Sequence, residues 1–299
     1  LERLVSARVM LKDRRQLVDG QEAVVVEVAH EALIRHWNHL IEWVDTNRED
    51  LFVFRRAELD AGEWVQHGYD LNYLWPVERL KKLQGILQGP GHEHQQVNEV
   101  VRLYAAPQHK LVERLQNSAL YHNERLNIGQ YLAVLGDPRP GVGLRPSGLP
   151  DIEWIDISRG EVELEDVDHL FKVKPFRIAK YPVTNEQFKA FVNAKDGYRN
   201  KKWWKGIRQG EVAADPSWQE TNAPREKVSW YEAIAFCRWL SAKTETSIRL
   251  PTEWEWQQAA TGGDTKRIYP WKGKWDSSRC NSAESGLSRT TVVGMYPAG

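Results

Sequence analysis

"RLPTEWEWQQAATGG", residues 249–263, reads as a helix whose first and last positions are both specified. Thr252 followed three residues later by Glu255 is a capping box. The hydroxyl accepts from the backbone N–H three residues on, and the carboxylate reaches back to the N–H of Thr252 itself. Gly262 and Gly263 suit the left-handed turn that closes a helix. Between these ends, Trp254 and the pair Ala259–Ala260 fall at spacings that let the helix lie against a strand. The same device recurs at Thr184 with Gln187 and at Ser229 with Glu232. Each cap contributes roughly 1 kcal/mol, and three of them describe helices that must start at set points because loops connect them. The intervening segments, "IEWIDI" at 152–157 and "FKVKPFRIAKYPV" at 171–183, are short apolar strands. This half of the chain is therefore expected to be α+β, with short strands, capped helices and long loops.

Working outward, the composition shifts at "LGDPRPGVGLRPSGLPD", residues 135–151. Its four prolines and four glycines bar a helix or an inner strand. We place a linker there, between a domain at 1–134 and another at 152–299. The first domain reads as mainly helical. Val9–Leu11 and Val24–Val28 flank the turn-forming "VDGQ" as a short hairpin. Leu33, Trp37, Leu40, Ile41 and Val44 recur at helical spacing. Further helices are expected over 48–67, 77–87 and roughly 93–120, the last with a break at Pro107. A helix, a short β-wing and more helices make a winged-helix-like unit with a helical extension.

The chain has 299 residues, enough for two ordinary domains. Lysine and arginine number 41 and so do aspartate and glutamate, so no long-range field draws in nucleic acid or an anionic membrane. Two cysteines cannot build a disulfide framework, and no apolar run reaches the ~20 residues of a membrane span. The start, "LERLVSARVMLKDRRQ", lacks an h-region, and a reducing, cytoplasmic setting is expected. Tryptophan is the outlier, with 14 in the chain, most of them after residue 150. Rings of that size fill a core poor in regular elements or line a binding surface.

The second half resembles the formylglycine-generating-enzyme/sulfatase-modifying-factor family, a variant of the C-type-lectin fold. The resemblance rests on "IAKYPVTNEQFKAFV" at 178–192, "KVSWYEAIAFCRWLS" at 227–241, residues 249–263, "YPW" at 269–271 and "CNS" at 280–282. The first half, through "VEVAHEALIRHWNHLIEWVDTNREDLFVFRRAELDAGEWVQHGYDLNYLW", resembles the region after the ATPase core of STAND-class signalling NTPases. In that class a histidine senses bound ADP, and by motif position this would be His30. The phosphate cradle G-x-x-x-x-G-K-[ST] does not occur in the sequence, so His30 has no nucleotide to sense within it.

The candidate chemistries narrow quickly. His30 and Glu31 begin an H-E-x-x-H zinc pattern, but Ile34 stands where the second histidine is required. His36 and His39 share a helix face without a third ligand. A DNA-reading winged helix needs a basic recognition helix, and "EALIRHWNHLIEWVD" is not one. The family resemblance implies Cu(I) held between two thiolates. Cys237, in line with Trp230, Ala233 and Leu240, reads as a small buried hydrophobe. Cys280 matches a family position other than the catalytic ones, which lie past a "GNVWEW"-like segment that this sequence stops short of. A related iron-dependent branch of the fold takes its ligands from an H-x-x-x-H-x-E-like run, and none occurs here. Calcium, which the family often binds near "CNS", would use Asn281, although calcium needs 6–8 oxygens and only this side chain stands out.

The expectation is thus a non-enzymatic ligand- or protein-recognition module of a bacterial STAND-type signalling or defence protein, without a required cofactor and with its oligomeric state open. The fold without its chemistry is similar to retroelement-diversified variable proteins, which display a mutable surface. The chosen contact surface is the loop at 200–220 with Trp203, Trp204 and Trp218, rings that fit no helix or strand period. The opposite reading, in which they cover the core, stands beside it. Two alternatives remain: an oxidase whose catalytic half lies beyond residue 299, and a structural adaptor acting through the N-terminal helices.

Overall fold

A computed structural model describes residues 10–16, 22–28, 38–89, 97–164, 167–210, 214–264 and 266–297. The chain divides into two compact units, Leu1–Ala106 and Pro107–Gly299.

In the first unit, strands β1 (Met10–Gln16) and β2 (Glu22–Val28) form the expected hairpin, in register from Met10↔Val28 to Gln16↔Glu22. The helical spacing at Leu40, Ile41 and Val44 and the helix expected over 48–67 belong to one helix, α1 (Asn38–Gln66). No proline or glycine interrupts residues 38–61. The polar run between the two stretches is satisfied on its own helix, with Thr46 Oγ1 donating to the Glu42 carbonyl (2.7 Å) and Asn47 Nδ2 to that of Trp43 (2.7 Å). Helix α2 (Val77–Gln88) follows Pro76, and α3 (Glu99–Ala105) ends just before the break at Pro107. Trp64, Tyr104, Leu80 and Leu83 are fully buried between them. The Tyr104 hydroxyl accepts from the Trp75 N–H at 3.1 Å, and the Trp75 indole donates to Asp60 at 2.7 Å. The polar edges of Tyr104 and Trp75 are thereby paired as well as buried. Residues 29–37, including His30, lie outside the described residues.

The second unit begins earlier than the composition suggested. Helices α4 (Gln108–Leu115) and α5 (His122–Leu135) pack on the C-terminal segment. Arg125, 2% exposed, donates to the carbonyls of Leu115 (3.0 Å), Asn117 (2.7 Å) and Met295 (2.8 Å). Gly129 lies so close to Val292 that a Cβ there would sit 2.4 Å from the valine methyl. The stretch 135–151 is not a free linker. Its proline and glycine content forbids a helix, yet Gln187 Nε2 donates to Gly141 O (3.0 Å) and Asp151 O (2.6 Å), and Thr184 Oγ1 to Val142 O (2.9 Å). One buried amide holds both sides of the loop to the start of the next helix.

Two strand pairs and three capped helices follow. Strands β3 (Trp154–Ile157) and β6 (Phe176–Ala179) pair antiparallel, and so do β4 (Gly160–Leu164) and β5 (Val167–Val173). Helices α6 (Asn185–Asn193), α7 (Trp230–Thr244) and α8 (Glu253–Thr261) all begin with the expected capping boxes. Helix α8 ends at Gly262 (φ +63°) and Gly263 (φ +78°), as residues 249–263 foretold. It lies on β4 and β5, where Trp254 stacks on Phe171 with ring centroids 5.0 Å apart. The main core joins α6 and α7 through Phe188, Phe191, Phe236, Trp239 and Leu240.

Candidate binding groove

Where α7 ends, Glu245 takes a left-handed turn (φ 53°) and the chain runs back along the helix it has left. The Ser241 hydroxyl holds this return, accepting from the Ile248 N–H at 2.9 Å while donating to the Cys237 carbonyl at 2.7 Å. Between the return segment, α7, the start of α8 and strand β6 lies a groove of about 580 Å³, within the range of small-ligand pockets. Its lining is mostly apolar: Trp154, Phe176, Ile178, Tyr181, Val183, Phe236, Cys237, Leu240, Ile248, Leu250 and Trp256. A second hollow of about 360 Å³ shares Cys237, Ile248, Leu250 and Pro251 with it and is walled by Trp230 and Ile234. Trp256 is 59% exposed and Trp230 61% exposed. Trp230 therefore faces outward from the first turn of α7 and not into the core, as the alignment with Cys237 had suggested.

The charges around the groove are few and placed. Arg249 makes a two-pronged pair with Glu255 (2.6 and 2.7 Å), and Glu255 also accepts from the Thr252 N–H at 2.8 Å. The Arg249 bonds, ahead of the cap bonds, hold the Glu255 carboxyl down at about 2. Lys180 pairs with Glu153 at 3.0 Å, and that bond raises its pKa. Arg177 is exposed and has no carboxylate within ion-pair distance among the described residues. Burial pushes the Cys237 thiol up to about 11, so it stays protonated at neutral pH and is a poor nucleophile or thiolate ligand.

The expected site residues do not meet here. Trp203 and Trp204 are 5% and 4% exposed and belong to the α6–α7 core, which corrects their choice as a contact surface. They form a 3-10 turn, Lys201–Trp204, and their indoles donate inward to Asp196 O (2.5 Å) and Tyr198 O (2.7 Å). Trp218 is half-buried beneath the Arg289 guanidinium, 4.2 Å from the ring centroid. Asn281 holds its own loop, donating to Arg289 O at 2.7 Å and accepting from Ser285 Oγ at 3.0 Å. Cys280 is a free, half-buried thiol, whereas Cys237 lines the groove. The described residues do not fit a two-thiolate copper site. Nor do any three or more His, Cys, Asp or Glu among them gather as a metal centre would require. The groove was missed because its walls come from three segments far apart in sequence. The outward Trp230 and Trp256, each directly after or inside a capping box, were the one available signal.

From β3 onward the framework is three capped helices and two short strand pairs. Residues 150–298 match the sulfatase-modifying factor enzyme 1-like domain, and residues 1–72 match novel STAND NTPase 1. The chain thus joins a novel STAND NTPase 1 segment to a domain of the sulfatase-modifying factor family. Among its relatives is a hercynine oxygenase of Mycolicibacterium thermoresistibile, 30% identical, with 54% of this chain and 41% of the relative covered. An inactive C-alpha-formylglycine-generating enzyme 2 of Bos taurus is 30% identical, covering 42% of this chain and 54% of the relative. A formylglycine-generating enzyme of Streptomyces coelicolor is 30% identical, covering 43% and 53%. The chain spans about half the length of these relatives, which include both active and inactive proteins. Among the described residues no helix is long and apolar enough to cross a membrane.

Proposed function

We propose that this STAND-associated chain carries its sulfatase-modifying-type domain as a recognition module, and that the apolar groove beside β6 is where it takes a ligand or protein segment. The observation that carries this reading is the lining of the groove. Aromatic and aliphatic walls with two exposed tryptophans favour burying an apolar group. The one carboxylate in the lining, Glu255, is tied to Arg249 and to a helix cap, and the one thiol, Cys237, is held protonated. Neither is poised to move a proton near neutral pH. The inactive bovine relative supports a non-catalytic role, while the oxygenase and the Streptomyces enzyme favour a catalytic one, so turnover is the deciding measurement. The full chain, given copper and a cysteine-containing sulfatase peptide, is expected to form no aldehyde; turnover would overturn the proposal. An apolar fluorescent naphthalene probe should bind the full chain and lose affinity in Trp256→Ala and Ile178→Asn. Equal binding by all three proteins would remove the groove from consideration.

A further inference from the structure

We propose that the outer edge of β6 adds a strand from a partner, an extended segment alternating apolar and acidic side chains. This rests on the recognition reading above and names the kind of partner. The register shows which backbone groups are free. Lys180 N–H bonds to Glu153 O at 2.9 Å, and the pairs Ile155↔Ile178 and Ile157↔Phe176 continue that alternation. In an antiparallel pair every second residue turns its N–H and C=O away from the neighbouring strand. In β6 those residues are Arg177 and Ala179. Among the described residues, sheet β3–β6 has two strands and no hydrogen bond engages the outward groups of Arg177 or Ala179.

The groove lies against that edge. Every residue from Phe176 to Val183 lines it, whereas the β3 side contributes only Ile152 and Trp154. Alternate residues would line a groove seen from a sheet face; consecutive ones line a groove seen from the edge. A strand laid there would bond to Arg177 and Ala179 and place every second side chain on the floor of Cys237, Ile248 and Leu250. The remaining side chains would meet the rim. The rim cations are Arg177, Lys180 and Arg249, of which Lys180 is paired with Glu153 and Arg249 with Glu255, so that among the described residues Arg177 is left as the unpaired charge. Its cross-strand neighbour Asp156 does not reach ion-pair distance. That unpaired charge complements glutamate or aspartate. Addition of a strand to an open edge is a recurring mode of peptide recognition, with main-chain bonds giving affinity and alternate pockets giving specificity.

The test uses the full chain and a fluorophore-labelled, end-blocked heptapeptide with glutamate at odd positions and valine at even ones, followed by anisotropy. Binding is expected. It should weaken by about tenfold in Ala179→Pro, which removes one outward N–H and leaves the β3 ladder intact. Methylating the peptide's backbone amides should weaken it similarly against the unaltered protein, so a misfolded variant cannot decide the result. Replacing glutamate by lysine should also weaken it. Equal affinity for the methylated peptide would overturn the proposal. So would absence of peptide binding while the naphthalene probe still binds, an outcome that leaves the recognition reading standing. Loss of both probe and peptide binding would remove the two together. Self-association abolished by Ala179→Pro would assign the edge to a second copy of the chain and overturn the acidic partner.

Discussion

Gly129 decides whether α5 belongs to the C-terminal unit. It stands inside a helix, where glycine costs about 1 kcal/mol relative to alanine, so Gly129→Ala on an isolated helix would stabilise. In this structure the added Cβ would lie 2.4 Å from one Val292 methyl and 3.0 Å from the Met295 sulfur. Both neighbours are buried, at 3% and 1% exposure, and Ile128 and Leu132 on the same helix are at 0%. Overpacking of that kind costs about 1–3 kcal/mol, which exceeds the propensity gain at most of its range. The expected net effect is a loss of about 1 kcal/mol. Val292→Ala alone should cost about 2 kcal/mol by leaving a cavity. Together the two should cost less than their separate effects by 1 kcal/mol or more, because the alanine Cβ fills what the valine vacates. Hydrogen exchange of the full chain, read by mass spectrometry on peptides from 122–135 and 289–297, localises the effect. Faster exchange in both peptides for each single change, partly restored in the double, is the expected result. A Gly129→Ala protein with slower exchange, or effects that simply add, would refute the packing of α5 on this segment.

Four further outcomes are expected. A protein beginning at residue 150 should be less stable than one beginning at Pro107, since it leaves Val292, Val293 and Met295 uncovered; matched thermal melts test this, and equal melting would contradict it. Trp203→Ala should destabilise by about 3–5 kcal/mol, whereas Trp256→Ala should change stability by less than about 1 kcal/mol, exposed surface positions being tolerant. Cys280 should alkylate with iodoacetamide at pH 8 well before Cys237, whose thiol at about 11 is protonated there and buried; equal rates would be contrary. Glu255, at about 2 against an ordinary 4.5, has a depressed folded-state pKa, so its stabilisation is complete above the ordinary value and is lost as pH falls toward 2. The shift alone would set an upper bound of about 3 kcal/mol, which the 61% exposure of Arg249 reduces to about 1–2 kcal/mol. Wild type and Glu255→Gln should differ by that amount at pH 7 and converge near pH 2.

What could be read from the sequence was local. The capping boxes at Thr184, Ser229 and Thr252 close within three residues, so the sequence contains both partners of each bond. The break at Pro107 and the hairpin at 10–28 are equally local. Trp203 and Trp204 were misread because a four-residue 3-10 turn has neither the 3.6 nor the 2.0 period by which burial shows itself. Residues 135–151 were misread for a related reason. Composition states which backbone shapes are barred, but not that Gln187, more than thirty residues on, will hold the loop. The groove was beyond reach because β6 and the turn from α7 to α8, with all of residues 184–229 between them, meet only through the fold.

The polar interior accords with the recognition role proposed above. In the second unit the buried polar side chains serve the main chain: Gln187, Asn185, Glu232, Glu255 and Arg125 each bond to backbone groups that would otherwise be unpaired. Tyr198 donates to Glu232 at 2.9 Å, and burial with that bond raises the phenol's pKa further from neutrality. A buried acid that satisfies a helix start cannot also exchange a proton with a substrate without releasing that start. The long loops are thus held by residues whose chemistry is already committed, and the surface they leave open is aromatic, aliphatic and edged with unpaired backbone. Such a surface gains most of its free energy from buried area and main-chain bonds. Its selectivity then depends on few groups, and Arg177, charged, exposed and beside the open edge, is the first whose replacement should change which partner is taken.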